Sequence, residues 1–173
     1  MKHLIILFFT CLSISTFAQQ NIKWLTIEEA IALNETQPKK FFIDVYTDWC
    51  GWCKVMDQQT FQHPAIAAMI NQYYHPVKLN AEQKNDIVIK GKTYKFVASG
   101  RNGYNEFAAE ILQGKLSYPT IVYLDEKLGM LSPVPGFMKP KDIEPVLKFF
   151  GTNSHLSTKW DEYQKTFTST IPE

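Results

Sequence analysis

Sulfur is scarce in this chain, and so is net charge. Three cysteines in 173 residues are too few for a disulfide scaffold, so the fold must rest on a hydrophobic core, which a chain of this length can bury. Lys and Arg number 18 against 17 Asp and Glu, a formal net charge of +1. That balance removes the electrostatic case for nucleic acid or an anionic membrane as the main partner. Internal repeats, low-complexity tracts and linkers are missing too, which points to one domain. What is present is globular: 45% hydrophobic and 20% charged residues, outside the disordered range.

The first eighteen residues read as a secretory leader. Lys2 supplies the positive start, Leu4 to Phe9 begin an apolar stretch reaching Ile14, and Thr16-Phe17-Ala18 offers small residues where a signal peptidase reads them. The stretch is too short for a stable membrane anchor. Cys11 follows bulky Phe9 and Thr10, a poor context for lipidation. Cleavage after Ala18 would remove Lys2 and Cys11, leaving equal numbers of positive and negative charges and one cysteine pair, Cys50 and Cys53. The expected location is a periplasm, where disulfides persist. Full secretion or lipid anchoring is less favoured, and no membrane association is expected after cleavage.

Along the remaining residues, 19–173, Thr26 and Glu29 form a capping box for a helix from Ile27 to about Glu35, stopped by Pro38. Phe41 to Tyr46 is almost wholly apolar and reads as a central strand, with Asp44 as its anomaly. Helices are expected at Lys54–Gln59 and Ala65–Gln72, with a strand at Tyr74–Asn80. Ile87–Ile89 and Thr93–Val97 suggest a hairpin. Ser99–Asn105 reads as a loop, followed by a helix at Glu106–Leu112 capped by Asn105. Strands are expected at Tyr118–Leu124 and Met130–Pro135, antiparallel across the Asp125–Gly129 turn, then a helix at Pro140–Phe149. Trp160, Tyr163 and Phe167 place an aromatic stripe on a last helix, read as packing onto the domain. This mixed order argues for an α/β sandwich around a central sheet.

The chemistry concentrates at Trp49-Cys50-Gly51-Trp52-Cys53. Two thiols this close at a strand-to-helix junction can close a small disulfide ring. Cys50 would lie at the helix N-terminus, where N–H groups favour the thiolate, the species that attacks a disulfide. Cys53, one turn on, could attack the mixed disulfide and release the partner. Other readings stand beside this one. Half a zinc site would need two more ligands, and His63, His75 and His155 lack tight metal spacing. A purely structural disulfide would constrain little chain, and two inert thiols remain conceivable.

The segment Ile43 to Lys54, the strand Val77-Lys78-Leu79-Asn80, Tyr118-Pro119-Thr120 and Gly136 together resemble the thioredoxin superfamily, over roughly residues 24–151. The finer pattern, Trp-Cys-x-Trp-Cys-Lys-x-Met from Trp49 to Met56 and then Thr60-Phe61, resembles exported thioredoxin-like proteins called thioredoxin-7 or DUF255-related. The resemblance implies a three-layer α/β/α sandwich with a central mixed sheet, here with an inserted β-hairpin within about 81–115 and an extra C-terminal helix within about 152–173. It implies a thiol–disulfide oxidoreductase in which Cys50 and Cys53 are the redox pair and Asp44 and Lys78 assist. A buried Asp44 should titrate high and could move the proton that Cys53 must lose. Trp49, Gly51, Trp52, Tyr118 and a cis Pro119 would meet the substrate.

No metal and no cofactor beyond the Cys50–Cys53 disulfide are implied. The partners would be client proteins with disulfides or thiols and an upstream redox protein. Trp52 stands where plain thioredoxin has proline, and no His lies between the cysteines, which favours reduction or exchange over strong oxidation. A thioredoxin-fold binding or assembly module with secondary redox activity is the alternative. The insertion, with Gly100 to Gly103, is expected to modify the rim of the site.

Overall fold

The computed structural model describes residues 21–100 and 102–171. The expected leader and Cys11 lie outside the described residues. A central four-stranded sheet runs in the order β2-β1-β7-β8, built from β1 (Lys40–Tyr46), β2 (Tyr74–Asn80), β7 (Thr120–Leu124) and β8 (Met130–Pro135). β1 and β2 are parallel, whereas β7 is antiparallel to both β1 and β8. Pro133 and Pro135 fall on the edge strand β8, where a missing N–H is tolerated.

Alternation along β1 divides the core in two. Phe41, Ile43 and Val45 join Val77 and Leu79 under α1 (Ile27–Asn34) and α4 (Glu106–Ile111). Phe42, with Tyr74, Ile121 and Tyr123, faces Met56, Ile66, Ile70 and Ile143 from α2 (Gly51–Met56), α3 (Pro64–Tyr73) and α5 (Pro140–Gly151). Asp44 shares the parity of Phe42 and therefore points toward the α2 side. The sheet with helices on both faces is the expected sandwich.

Local signals act as read in several places. Thr26 and Glu29 form the reciprocal capping box, and the Asn105 side chain accepts from the N–H of Phe107. Trp160 and Tyr163 of α6 (Trp160–Thr166) pack on Phe149 with ring centroids 5.2 and 5.0 Å away. The segment after α6 is tied back as well: Glu144, wholly buried on α5, accepts from Ser169 and Thr170 and pairs with Lys148.

Two expectations are corrected. The helix after the cysteines begins at Gly51, not Lys54, and after Met56 it widens into a π-helical turn, Asp57–Phe61. Where a loop was expected after Val97, β5 (Phe96–Ser99) and β6 (Asn102–Asn105) form a second hairpin after the first, β3 (Ile87–Ile89) with β4 (Lys92–Tyr94). Gly and Asn carry no apolar alternation that would announce a strand. Yet Gly103 is what this pairing needs. A Cβ there would lie 2.2 Å from the Phe96 ring and 2.5 Å from the Val97 carbonyl oxygen, so only a hydrogen lets the two strands close.

Candidate active site

The polypeptide leaves β1 at Tyr46 and turns sharply, with the Cys50 N–H donating to the Thr47 carbonyl at 3.1 Å. Cys50 is thereby the N-cap of α2, and its sulfur accepts from the Cys53 N–H at 3.1 Å. Cys50 and Cys53 are joined as a disulfide. Both residues are buried, Cys50 at 5% exposure and Cys53 at 3%. The cysteine pair is thus largely covered, and the exposed groups are its neighbours, Trp49 at 60% and Trp52 at 63%. Gly51 between them has open space where a side chain would be.

An aromatic rim surrounds the pair. Trp49 meets Tyr118 edge to face at 5.8 Å, and Trp52 meets Phe137 at 5.4 Å. The Trp49 indole N–H donates to Glu82 at 2.9 Å. The Tyr118–Pro119 peptide bond is cis. The Pro119 carbonyl accepts from the N–H of Gly136 at 2.8 Å, and Gly136 has φ +99, a conformation glycine adopts without a side-chain penalty. This contact ties the end of β8 to the start of β7 beside the rim.

On the central sheet, the parallel register places Asp44 opposite Lys78. The Lys78 ammonium lies 2.5 Å from Asp44 Oδ2 and also contacts Asp57. Asp44 is 1% exposed. Burial pushes its carboxyl up to about 6, against the opposing pull of Lys78. Its second oxygen, Oδ1, is buried and has no hydrogen-bond partner among the described residues, which makes it the oxygen available to a proton. Burial depresses Lys78, but Asp44 and Asp57 outweigh it and hold the ammonium above its ordinary range.

Lys78 is also boxed by rings. Its nitrogen lies 5.0 Å from the ring centres of Trp24 and Tyr46 and 5.6 Å from that of Phe61, distances at which a cation is attracted to the ring face. Trp24 arrives there because the adjoining Leu25 bridges β2: the Lys78 N–H donates to the Leu25 carbonyl at 3.1 Å. A surface cleft of about 620 Å³, bordered by Trp24, Asp57, Phe61 and Lys78, opens beside this group.

The residues singled out in sequence thus fall in two groups, the disulfide with its aromatic neighbours and the Asp44–Lys78 pair on the sheet. Asp57, Trp24, Glu82 and Phe137 were not foreseen. Asp57 lies one helical turn beyond Cys53, a spacing that marks a shared face but no role. The other three reach the site only through long-range packing. Among the described residues no group of three or more His, Cys, Asp or Glu could hold a metal ion.

A four-stranded mixed sheet between helices, with a disulfide at the N-cap of α2 and a cis proline immediately before β7, defines a thioredoxin-fold protein carrying the paired cysteines of thiol–disulfide oxidoreductases. More specifically, residues 11–170 match the family described as Thioredox_DsbH, protein of unknown function, DUF255, and the chain belongs to that family.

Two curated relatives are similar over shorter stretches. Uncharacterized protein B0495.5 of Caenorhabditis elegans is 24% identical over 135 residues, 77% of this chain. The thiol:disulfide interchange protein DsbD of Vibrio vulnificus (strain CMCP6) is 36% identical over 47 residues, 27% of this chain. These matches span only 16% and 8% of the relatives' own lengths. Among solved structures, a thioredoxin-fold protein from Helicobacter pylori superposes with a TM-score of 0.56 at 20% identity, covering 74% of this chain and 79% of that one. That likeness speaks to the fold.

Proposed function

We propose that this protein is an exported thiol–disulfide oxidoreductase that exchanges its Cys50–Cys53 pair with protein clients in a periplasm, as a reductase or exchanger rather than a strong oxidant. The observation that carries this reading is the cysteine pair closed at the N-cap of α2, in a fold that also buries a carboxyl, Asp44, held by Lys78. The name of the matched Vibrio vulnificus protein, a thiol:disulfide interchange protein, agrees with it, and the leader-like start of the chain supports export.

In the reduced protein, the Cys53 N–H and the end of α2 stabilise a Cys50 thiolate. That thiolate attacks a client disulfide. A Cys50–client bond forms, and one client sulfur leaves as a thiolate. Asp44, ionised above about pH 6, accepts the proton of Cys53. The Cys53 thiolate then attacks the Cys50 sulfur, closing the ring and releasing the second client sulfur. Two electrons have passed to the client, and an upstream dithiol restores the pair. No imidazole lies between the cysteines to depress the Cys50 thiol further, which favours the reducing direction.

Trp49, Trp52, Tyr118 and Phe137 offer apolar contact on both sides of the disulfide, which suits a protein segment with apolar side chains flanking its cysteine. The test is insulin reduction with dithiothreitol, comparing wild type with Cys50→Ala. Acceleration by the wild type alone supports the reading, and equal rates reject it. The exposed rim also favours a second reading, a docking module with secondary redox activity. Full function of a Cys50→Ser, Cys53→Ser double variant in the source cell would select that one.

A further inference from the structure

Asp57 stands outside the exchange steps, yet it contacts the one cation that controls Asp44. We propose that Asp57 is a positioning residue of the dithiol site, which shares the Lys78 ammonium with Asp44 and so weakens the hold of Lys78 on the buried carboxyl.

The argument is geometric. Lys78 is the only cation paired with Asp44 among the described residues, and a carboxylate beside one undivided ammonium stays ionised to low pH. Asp44 must instead pick up and give back a proton close to the pH at which a thiol loses one. Asp57 lies on the π-helical turn that follows α2, and its side chain is 40% exposed at the mouth of the cleft beside Lys78. The rings of Trp24, Tyr46 and Phe61 restrict where the ammonium can sit. They hold it in contact with both carboxylates. Two negative groups on one positive group leave the cluster with one excess negative charge, which opposes ionisation of the more buried member, Asp44.

The groups facing Asp44 are few. β2 contributes Lys78, and the π-helical turn contributes Asp57. Its own strand contributes Tyr46, whose hydroxyl burial and neighbouring carboxylates push up. β7 presents Ile121. A wider, π-type turn is a common way to re-aim a side chain at a functional site, and here it falls where Asp57 leaves the helix.

The inference rests on the exchange reading above, but its test does not need turnover. In oxidised protein, the Asp44 side-chain carboxyl is titrated by carbon-13 NMR in wild type, Asp57→Asn and Asp57→Glu. In Asp57→Asn the Asp44 midpoint should fall by roughly one pH unit, as Lys78 turns wholly to Asp44. Asp57→Glu should keep the wild-type midpoint within a few tenths of a unit. An unchanged midpoint in Asp57→Asn overturns the proposal, and so does an equal fall in both variants. Insulin reduction by wild type, measured alongside, judges the exchange reading separately. Inactive wild type with a shifted Asp44 midpoint would reject the exchange reading and leave the sharing of Lys78 intact.

Discussion

Asp44 and Lys78 sit opposite each other on neighbouring parallel strands, 2.5 Å apart, with the carboxylate almost fully buried and the lysine reaching a surface cleft. The pair sits on the sheet face that packs against α2, and the protonation of Asp44 is tied to its burial on folding.

The first consequence concerns stability against pH. The Asp44 carboxyl is raised from 3.8 to about 6 in the folded protein, so between these values the folded state holds a proton that the unfolded chain has released. The stabilising contribution of the protonated form is complete below pH 3.8 and is lost as pH rises through 6, amounting to about 3 kcal/mol. Urea unfolding of oxidised wild type and Asp44→Asn at several pH values from 4 to 7 should show the difference between them shifting toward the variant as pH rises. A pH-independent difference would mean that Asp44 is not protonated in the folded protein.

The second concerns which sulfur reacts. In the oxidised protein Cys50 holds the N-cap position and its sulfur accepts from the Cys53 N–H, an arrangement that favours a thiolate on Cys50 once the pair is reduced. Brief alkylation with iodoacetamide near pH 7, followed by peptide mass spectrometry, should place the label on Cys50. Label on Cys53 instead would reverse the roles assigned to the two thiols.

The third concerns the rim. Trp49 and Trp52 are exposed, so Ala at either position should change stability by no more than about 0.5 kcal/mol. Glu82 fixes the Trp49 ring through the indole N–H. Glu82→Ala and Trp49→Ala should both raise KM for a protein disulfide several-fold while leaving the rate with a small disulfide reagent unchanged. Parallel losses with both substrates would place these residues in the chemistry and not in docking.

The fourth concerns the second hairpin. Gly103→Ala puts a methyl into the Phe96 ring and the Val97 carbonyl, and should cost about 1–3 kcal/mol. Denaturant unfolding measures this. A neutral result would mean that β5 and β6 do not pair as described.

Much of this protein was legible locally. The cysteine pair, the capping box at Thr26 and Glu29, the apolar run of β1 and the aromatic stripe of α6 are each set by neighbours a few residues apart, so their periodicity and spacing carry the information. Asp44 was conspicuous because a carboxylate in such a run demands a reason. The second hairpin was not legible, because Gly103 declares itself only once Phe96 is folded over it. Nor was the Lys78 cluster: Asp57 looks like any helix-surface carboxylate, and Trp24 like any hydrophobic residue near a terminus.

The three-cysteine sequence was enough to point to the candidate redox pair, because two thiols three residues apart at a strand-to-helix junction can close a small disulfide ring. What folding had to supply was the environment of that pair. The anchoring of Trp49 by Glu82 and the division of one ammonium between Asp44 and Asp57 join residues 20 or more positions apart. Electrostatics and desolvation depend on distance in space, and only the packed sheet with its covering helix sets those distances.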